Sequence, residues 1–92
     1  MIIRAMINTD ANVDPWWENG GGKLWEKYEH TKDKYGYLNL DETTAPEFFA
    51  AAESIEGWGT SDPMEFQLYP VMFQTDSGED VWFENGKVVV CR

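Results

Sequence analysis

The sequence predicts an α+β fold: an antiparallel sheet built on C-terminal hairpins, together with the N-terminal strand, packed against one or two helices. Three observations carry this prediction. "ENGK", Glu84 to Lys87, sets Asn-Gly between two apolar runs, the favoured pair for a two-residue type I′ hairpin. "IIRAMIN", Ile2 to Asn8, alternates, with Ile3, Ala5 and Ile7 on one side. "TAPEFFAAAESI" places Phe48, Ala52 and Ile55 at helical spacing. A chain of 92 residues makes one domain, residues 1–92, with room for one modest core.

After the first strand comes a polar loop. Asp14-Pro15 is expected to cap a short helical turn holding Trp16 and Trp17, with proline where its missing N–H does no harm. Gly20-Gly21-Gly22 is expected to break any helix and act as a flexible joint. "KLWEKYEHTKDK", Lys23 to Lys34, reads as a helix with Leu24 and Tyr28 one turn apart. "YLNL", Tyr37 to Leu40, suits a short strand.

Thr44 and Glu47 have capping-box spacing, with Pro46 in the first turn. Gly57 is placed to end that helix in a left-handed conformation, and Trp58 to fold back on its last turn. Glu47 and Glu53 fall away from the apolar stripe, so the helix has a buried face and an acidic one.

In the C-terminal third, the Asn85-Gly86 turn pairs Glu84 with Lys87, Phe83 with Val88, Trp82 with Val89 and Val81 with Val90. Glu79 then faces Arg92. "TDSGE" suits a three-residue turn with Gly78 left-handed. This register puts Val71, Phe73, Val81, Phe83, Val88 and Val90 on one core face, and Met72, Gln74, Asp80, Trp82, Glu84 and Val89 on the other. Pro70 is expected to bulge or end a strand, because the apolar parity switches from Phe66 and Leu68 to Val71 and Phe73.

The composition is 42% hydrophobic and 15% aromatic, too apolar for a disordered acidic tail. One cysteine, Cys91, excludes an internal disulfide and a cysteine-cluster metal site. The N-terminal segment lacks the pattern of a signal peptide, and no apolar run reaches membrane-span length. A cytoplasmic protein is expected, in the host cytoplasm if phage-encoded.

Asp10-x-Asn12-x-Asp14 begins like an EF-hand calcium loop, but Pro15 and Gly21 stand where that loop needs glycine and glutamate. "GGGK" lacks the upstream glycine and the following Ser/Thr of a phosphate loop. His30 is the one histidine, so no triad or histidine metal cluster can be built. Nothing singles out a catalytic carboxylate pair. No catalytic residue, metal or cofactor is expected.

The net charge of −10 is unevenly spread. Residues 35–86 hold eleven acids and no Lys or Arg. At roughly one base per eight residues in an average domain, a stretch this long would carry about six. An ordinary solvated acidic surface is the simpler reading. The sharper one is a surface built to meet a basic partner, since membranes and nucleic acids repel it. In size and charge the chain resembles acidic inhibitors of nucleic-acid-handling machines: phage anti-restriction and anti-CRISPR proteins, and antitoxins of basic nucleases. The resemblance lies in composition and implies a non-enzymatic protein that occupies the basic surface of a nucleic-acid-binding protein.

Asp41, Glu42, Glu47, Glu53, Glu56, Asp62 and Glu65 are the candidate contacts. Trp16, Trp17 and Trp82 are the candidate exposed anchors, while Trp25 and Trp58 are assigned to the core. The alternatives are a small carbohydrate- or ligand-binding module using the Trp-rich segment, and a structural or assembly subunit contacting others through Trp82.

Overall fold

The computed structural model describes residues 1–59 and 69–91. The fold is α+β, with five strands in two antiparallel sheets among the described residues and helices packed against them.

Strand β1, Ile3–Ile7, is the centre of a three-stranded sheet, flanked by β2, Leu38–Leu40, and β3, Val71–Thr75. Its register sets Leu38, Ala5 and Phe73 in one row and Leu40, Ile3 and Thr75 in the next. Alternation does the sorting, because neighbouring residues point to opposite faces. Ile3, Ala5, Leu38, Leu40, Val71 and Phe73 are all buried. Pro70 is itself buried. It stops short of the strand, and its carbonyl accepts a hydrogen bond from Asn8 N–H at 2.8 Å. Phe66 and Leu68, on which the expected parity switch rested, lie outside the described residues.

Helix α1, Asp14–Trp16, carries Pro15 in its first turn as expected, but Asp14 is already helical and caps nothing: Val13 holds the N-cap position, without a side-chain cap bond. The glycines interrupt the helix, as expected: two helical pieces meet at a kink within Trp17–Gly21, and α2, Gly22–Lys27, follows at once. Gly20 alone leaves helical geometry, with φ of 131°. Gly21 is helical, and a Cβ there would lie 2.3 Å from the Trp16 ring. Its missing side chain thus makes room for an indole.

The helix expected over Lys23–Lys34 stops early. Tyr28 turns out of it at φ −110°, and Glu29–Thr31 form a single 3₁₀ turn. Thr31 donates its hydroxyl back to the Tyr28 carbonyl at 2.7 Å, an alternative to helical pairing that Thr and Asp residues supply. Asp33 then organises the loop into β2. One carboxylate oxygen accepts from the N–H groups of Tyr35 and Tyr37, and the other from the Asn39 side chain.

Helix α3, Thr44–Glu53, buries Ala45, Phe48 and Ala52 against the sheet. The Phe48 ring meets Trp25, Tyr28 and Phe73 edge-on, with centroids 5.4–6.2 Å apart, the geometry that ring quadrupoles favour. Ile55 packs half-buried beyond the helix end. Gly57 has the expected left-handed φ, +97°, but it does not end the helix: α3 stops at Glu53, capped by Ser54, where Ser54 Oγ donates to the Ala51 carbonyl at 2.7 Å.

Strands β4, Val81–Glu84, and β5, Lys87–Val90, pair in the register read from the turn, with Asn85 at φ 50° and Gly86 at φ 74°. The turn before them also forms as expected. Gly78 is left-handed, at φ 88°, and Thr75 N–H donates to the Glu79 carbonyl at 2.8 Å. Arg92, expected opposite Glu79, lies outside the described residues.

The two hairpins do not make one continuous sheet. Beyond the turn, β3 and β4 share a single bridge, Gln74–Asp80, and then diverge. The aromatic side chains explain the divergence. Phe83 stacks on Phe49 of α3 at 4.5 Å and stands edge-on to Phe73 at 4.9 Å. The β4–β5 hairpin therefore folds over the side of α3.

Candidate functional site

Helix α3 presents the acidic side chains. Its start is built by Asp41. One carboxylate oxygen accepts from Thr43 N–H at 2.8 Å, from Thr44 N–H at 2.7 Å and from the Thr44 hydroxyl at 3.0 Å. In return Asp41 N–H donates to Thr44 Oγ1 at 2.9 Å, and Ala45 N–H donates to the Asp41 carbonyl. This is a reciprocal, capping-box-like pair, three residues earlier than the Thr44–Glu47 box expected. The backbone donors of Thr44 and Thr43 and the Thr44 hydroxyl hold the Asp41 carboxyl below its ordinary value. Asp41 is exposed, but its donor-facing oxygen is committed to the helix.

Glu42 is exposed and lies 3.4 Å from the chain's terminal ammonium. Glu47, Glu53 and Glu56 are also exposed. Glu47 and Glu53 flank Ala50 and Ala51 on the solvent side of α3. The ion pairs among the described residues are Met1–Glu42 and Glu29–Lys32, so these three carboxylates stand outside any. Asp62 and Glu65 lie outside the described residues.

The tryptophans sort differently from expectation. Trp16 is 0% exposed, and its indole N–H donates to the Ala52 carbonyl at 2.9 Å. It is a core residue that joins α1 to α3, not a surface anchor. The correction has a simple cause: glycine at position 21 lets the ring sink between the helices. Trp17 is 41% exposed, as expected, and Trp25 is 5% exposed in the core. Trp58 and Trp82 are both half-buried.

Trp58 and Trp82 belong to a groove between α3 and the β4–β5 turn, a cavity of about 710 Å³. Phe49, Trp58, Tyr69 and Trp82 form a closed cycle of rings. Successive centroids are 5.7, 5.3, 5.0 and 5.1 Å apart. Glu53 of α3 and Asn85 and Gly86 of the β4–β5 turn also line it. Phe49 and Tyr69 were not among the residues singled out from the sequence. The signal was the Phe48-Phe49 doublet. Adjacent helical positions point about 100° apart, so the pair serves two neighbours at once, the sheet and the hairpin.

Among the described residues no group of three His, Cys, Asp or Glu side chains is placed to hold a metal ion, and no helix is long and apolar enough to cross a membrane. In the Asp10–Asp14 segment, Asn8 Oδ1 accepts from Asp10 N–H in an ordinary side-chain turn. The chain matches no family model, no curated protein and no solved structure.

Proposed function

We propose that the protein is a non-enzymatic binder that inhibits a nucleic-acid-binding protein or complex by occupying its basic surface. One observation carries the reading. Glu47, Glu53 and Glu56 are exposed, outside any ion pair among the described residues, and set in a 52-residue stretch without a single base. Such a surface attracts Lys and Arg clusters and repels nucleic acid and anionic membranes. A cytoplasmic location goes with this function.

Charge density limits the kind of mimicry. Glu47 and Glu53 are six residues apart, about 9 Å along the helix axis. Duplex DNA places roughly five phosphate charges in that length. The helix therefore matches DNA in sign, not in density. Electrostatics speeds the encounter, and aromatic anchors must supply much of the lasting affinity. Trp17 and Trp82 remain available for that role, whereas Trp16 does not.

The test begins with capture of partners from lysate, followed by titration of the purified partner against wild type and a Glu47→Lys, Glu53→Lys, Glu56→Lys variant at two salt concentrations. The reading expects the variant to bind more weakly and wild-type affinity to fall with salt. Equal affinity in all four titrations refutes it.

The aromatic groove favours a second reading, a ligand- or carbohydrate-binding module, relocated from the Trp16-Trp17 segment to the rings beside Glu53. Saturable binding of a neutral sugar, insensitive to salt, would support that reading instead.

A further inference from the structure

We propose that the outer edge of β5, Lys87–Val90, pairs with the same edge of a second copy of this chain, joining two β4–β5 hairpins into one continuous antiparallel sheet.

The edge is open on its hydrogen-bonding side. The register sets Glu84 opposite Lys87 and Trp82 opposite Val89, and Cys91 N–H donates to the Asp80 carbonyl at 2.7 Å. Lys87, Val89 and Cys91 share one parity and turn their backbone groups toward β4. Val88 and Val90 have the other parity, so their N–H and C=O groups point away from it. Among the described residues no strand lies on that side of β5, and no hydrogen bond reaches the outward groups of Val88 or Val90. The three valines are half-buried, and Lys87 and Cys91 are exposed.

The outer side of β2 is treated differently. A bridge from Lys32 to Leu38 closes it, and Thr31 Oγ1 accepts from Asn39 N–H at 3.2 Å. On β5 a run of valines with neither proline nor charge at its centre is left as a template for another strand.

Three features select a second copy as that strand. The first is register. With Val89 facing Val89 of the partner subunit across a twofold axis, Val88 lies opposite Val90 of the partner subunit, and the two exchange N–H···O bonds. The symmetry repeats this pair on the other side of the axis, so both edges are used up and the assembly closes. The second is side-chain chemistry. The inner row of Phe83 and Val88 continues into Val90 and Val81 of the partner subunit, apolar throughout.

The third is local charge. The outer row runs from Asp80 through Cys91 to Lys87 of the partner subunit. Asp80 is exposed, with one oxygen bonded to Gln74. Its backbone and that of Lys87 of the partner subunit are two strand spacings apart, roughly 10 Å, with only the small Cys91 between. A lysine side chain bridges much of that gap, so the cation on each edge approaches a carboxylate of the other copy. A basic segment from another protein would meet Lys87 with like charge instead. The net charge of −10 on each copy opposes association at longer range, and moderate salt screens it.

The test combines sedimentation of the intact protein across a wide concentration range, at moderate salt, with amide hydrogen exchange resolved by residue. A reversible monomer–dimer equilibrium is expected. Exchange at Val88 and Val90 should slow as dimer forms, while Val89 and Cys91 are protected at every concentration. Val89→Lys sets two ammonium groups directly opposite each other at the axis and should weaken the dimer roughly fivefold or more. If that variant folds poorly, the exchange pattern of wild type decides.

A chain that stays monomeric at every concentration, a dimer that leaves Val88 and Val90 in fast exchange, assembly that grows past the dimer, or a folded Val89→Lys protein that dimerises like wild type would each overturn the proposal. Protection of those two amides only on addition of another protein would assign the edge to that protein and overturn it as well.

Discussion

Substituting Gly21 by alanine drives a Cβ into the ring of Trp16. The nearest ring atoms would lie 2.3, 2.5 and 2.5 Å away, well inside any real contact distance. The indole cannot swing aside cheaply. It is fully buried, and its N–H is held by the Ala52 carbonyl. Considered locally the substitution should help, because Gly21 has helical angles, φ −60° and ψ −37°, and replacing glycine at a compatible site stabilises by about 0.4–1 kcal/mol. Overpacking a well-filled core costs about 1–3 kcal/mol. Losing the indole hydrogen bond adds about 1 kcal/mol. The expected net loss is thus about 2 kcal/mol, which for a domain of this size lowers Tm by roughly 10 °C. Urea unfolding with unchanged slope and a lower midpoint is the measurement. Gly36→Ala is the control. It has φ of +86° and nothing within 4 Å, so it reports backbone strain alone, about 1 kcal/mol. A Gly21→Ala protein as stable as wild type, or more so, would refute the packing of α1 against the glycines.

Three further outcomes are expected. Trp16→Phe should lose about 1–3 kcal/mol through a smaller ring and the lost indole hydrogen bond to the Ala52 carbonyl, which keeps its bond from Ile55 N–H, while Trp17→Phe stays within about 0.5 kcal/mol; paired denaturant midpoints check this. Backbone and side-chain donors lower the Asp41 carboxyl, and those around Asp33 outweigh the upward push of desolvation there, so both carboxyls lie below their ordinary values. The stability they contribute is therefore present above the unfolded value near 3.9 and lost as pH falls through the folded one. Melting curves between about pH 5 and pH 2 should show a shallower acid limb in Asp41→Asn, and an unchanged limb would contradict the cap. Gly86→Val forces a β-branched residue to φ 74° in open space, so its cost is strain alone, about 1–3 kcal/mol in the same unfolding assay.

Some of this protein is local and was therefore legible. The Asn85-Gly86 turn sets the twist and register of its own two strands, so all four pairs from Val81–Val90 to Glu84–Lys87 follow from neighbouring residues. The Phe48–Ala52 stripe and the strand Ile3–Ile7 follow from periodicity, and the missing bases from a count. Local rules erred where two local options compete: Thr31 and Asp33 offered the backbone other partners and ended a helix that spacing alone would continue. The rest belongs to tertiary structure. Which tryptophan is buried depends on the distance between α1 and α3, decided by an indole meeting glycine on one side and a carbonyl 36 residues away on the other. Whether the two hairpins form one sheet depends on Phe49 drawing Phe83 over the helix. The groove is built from residues 33 positions apart, Phe49 and Trp82, with Trp58 and Tyr69 between them in the chain. Periodicity assigns a side chain to a face of its own element. What that face meets is settled only when the elements pack, because burial is shared between surfaces that are distant in sequence.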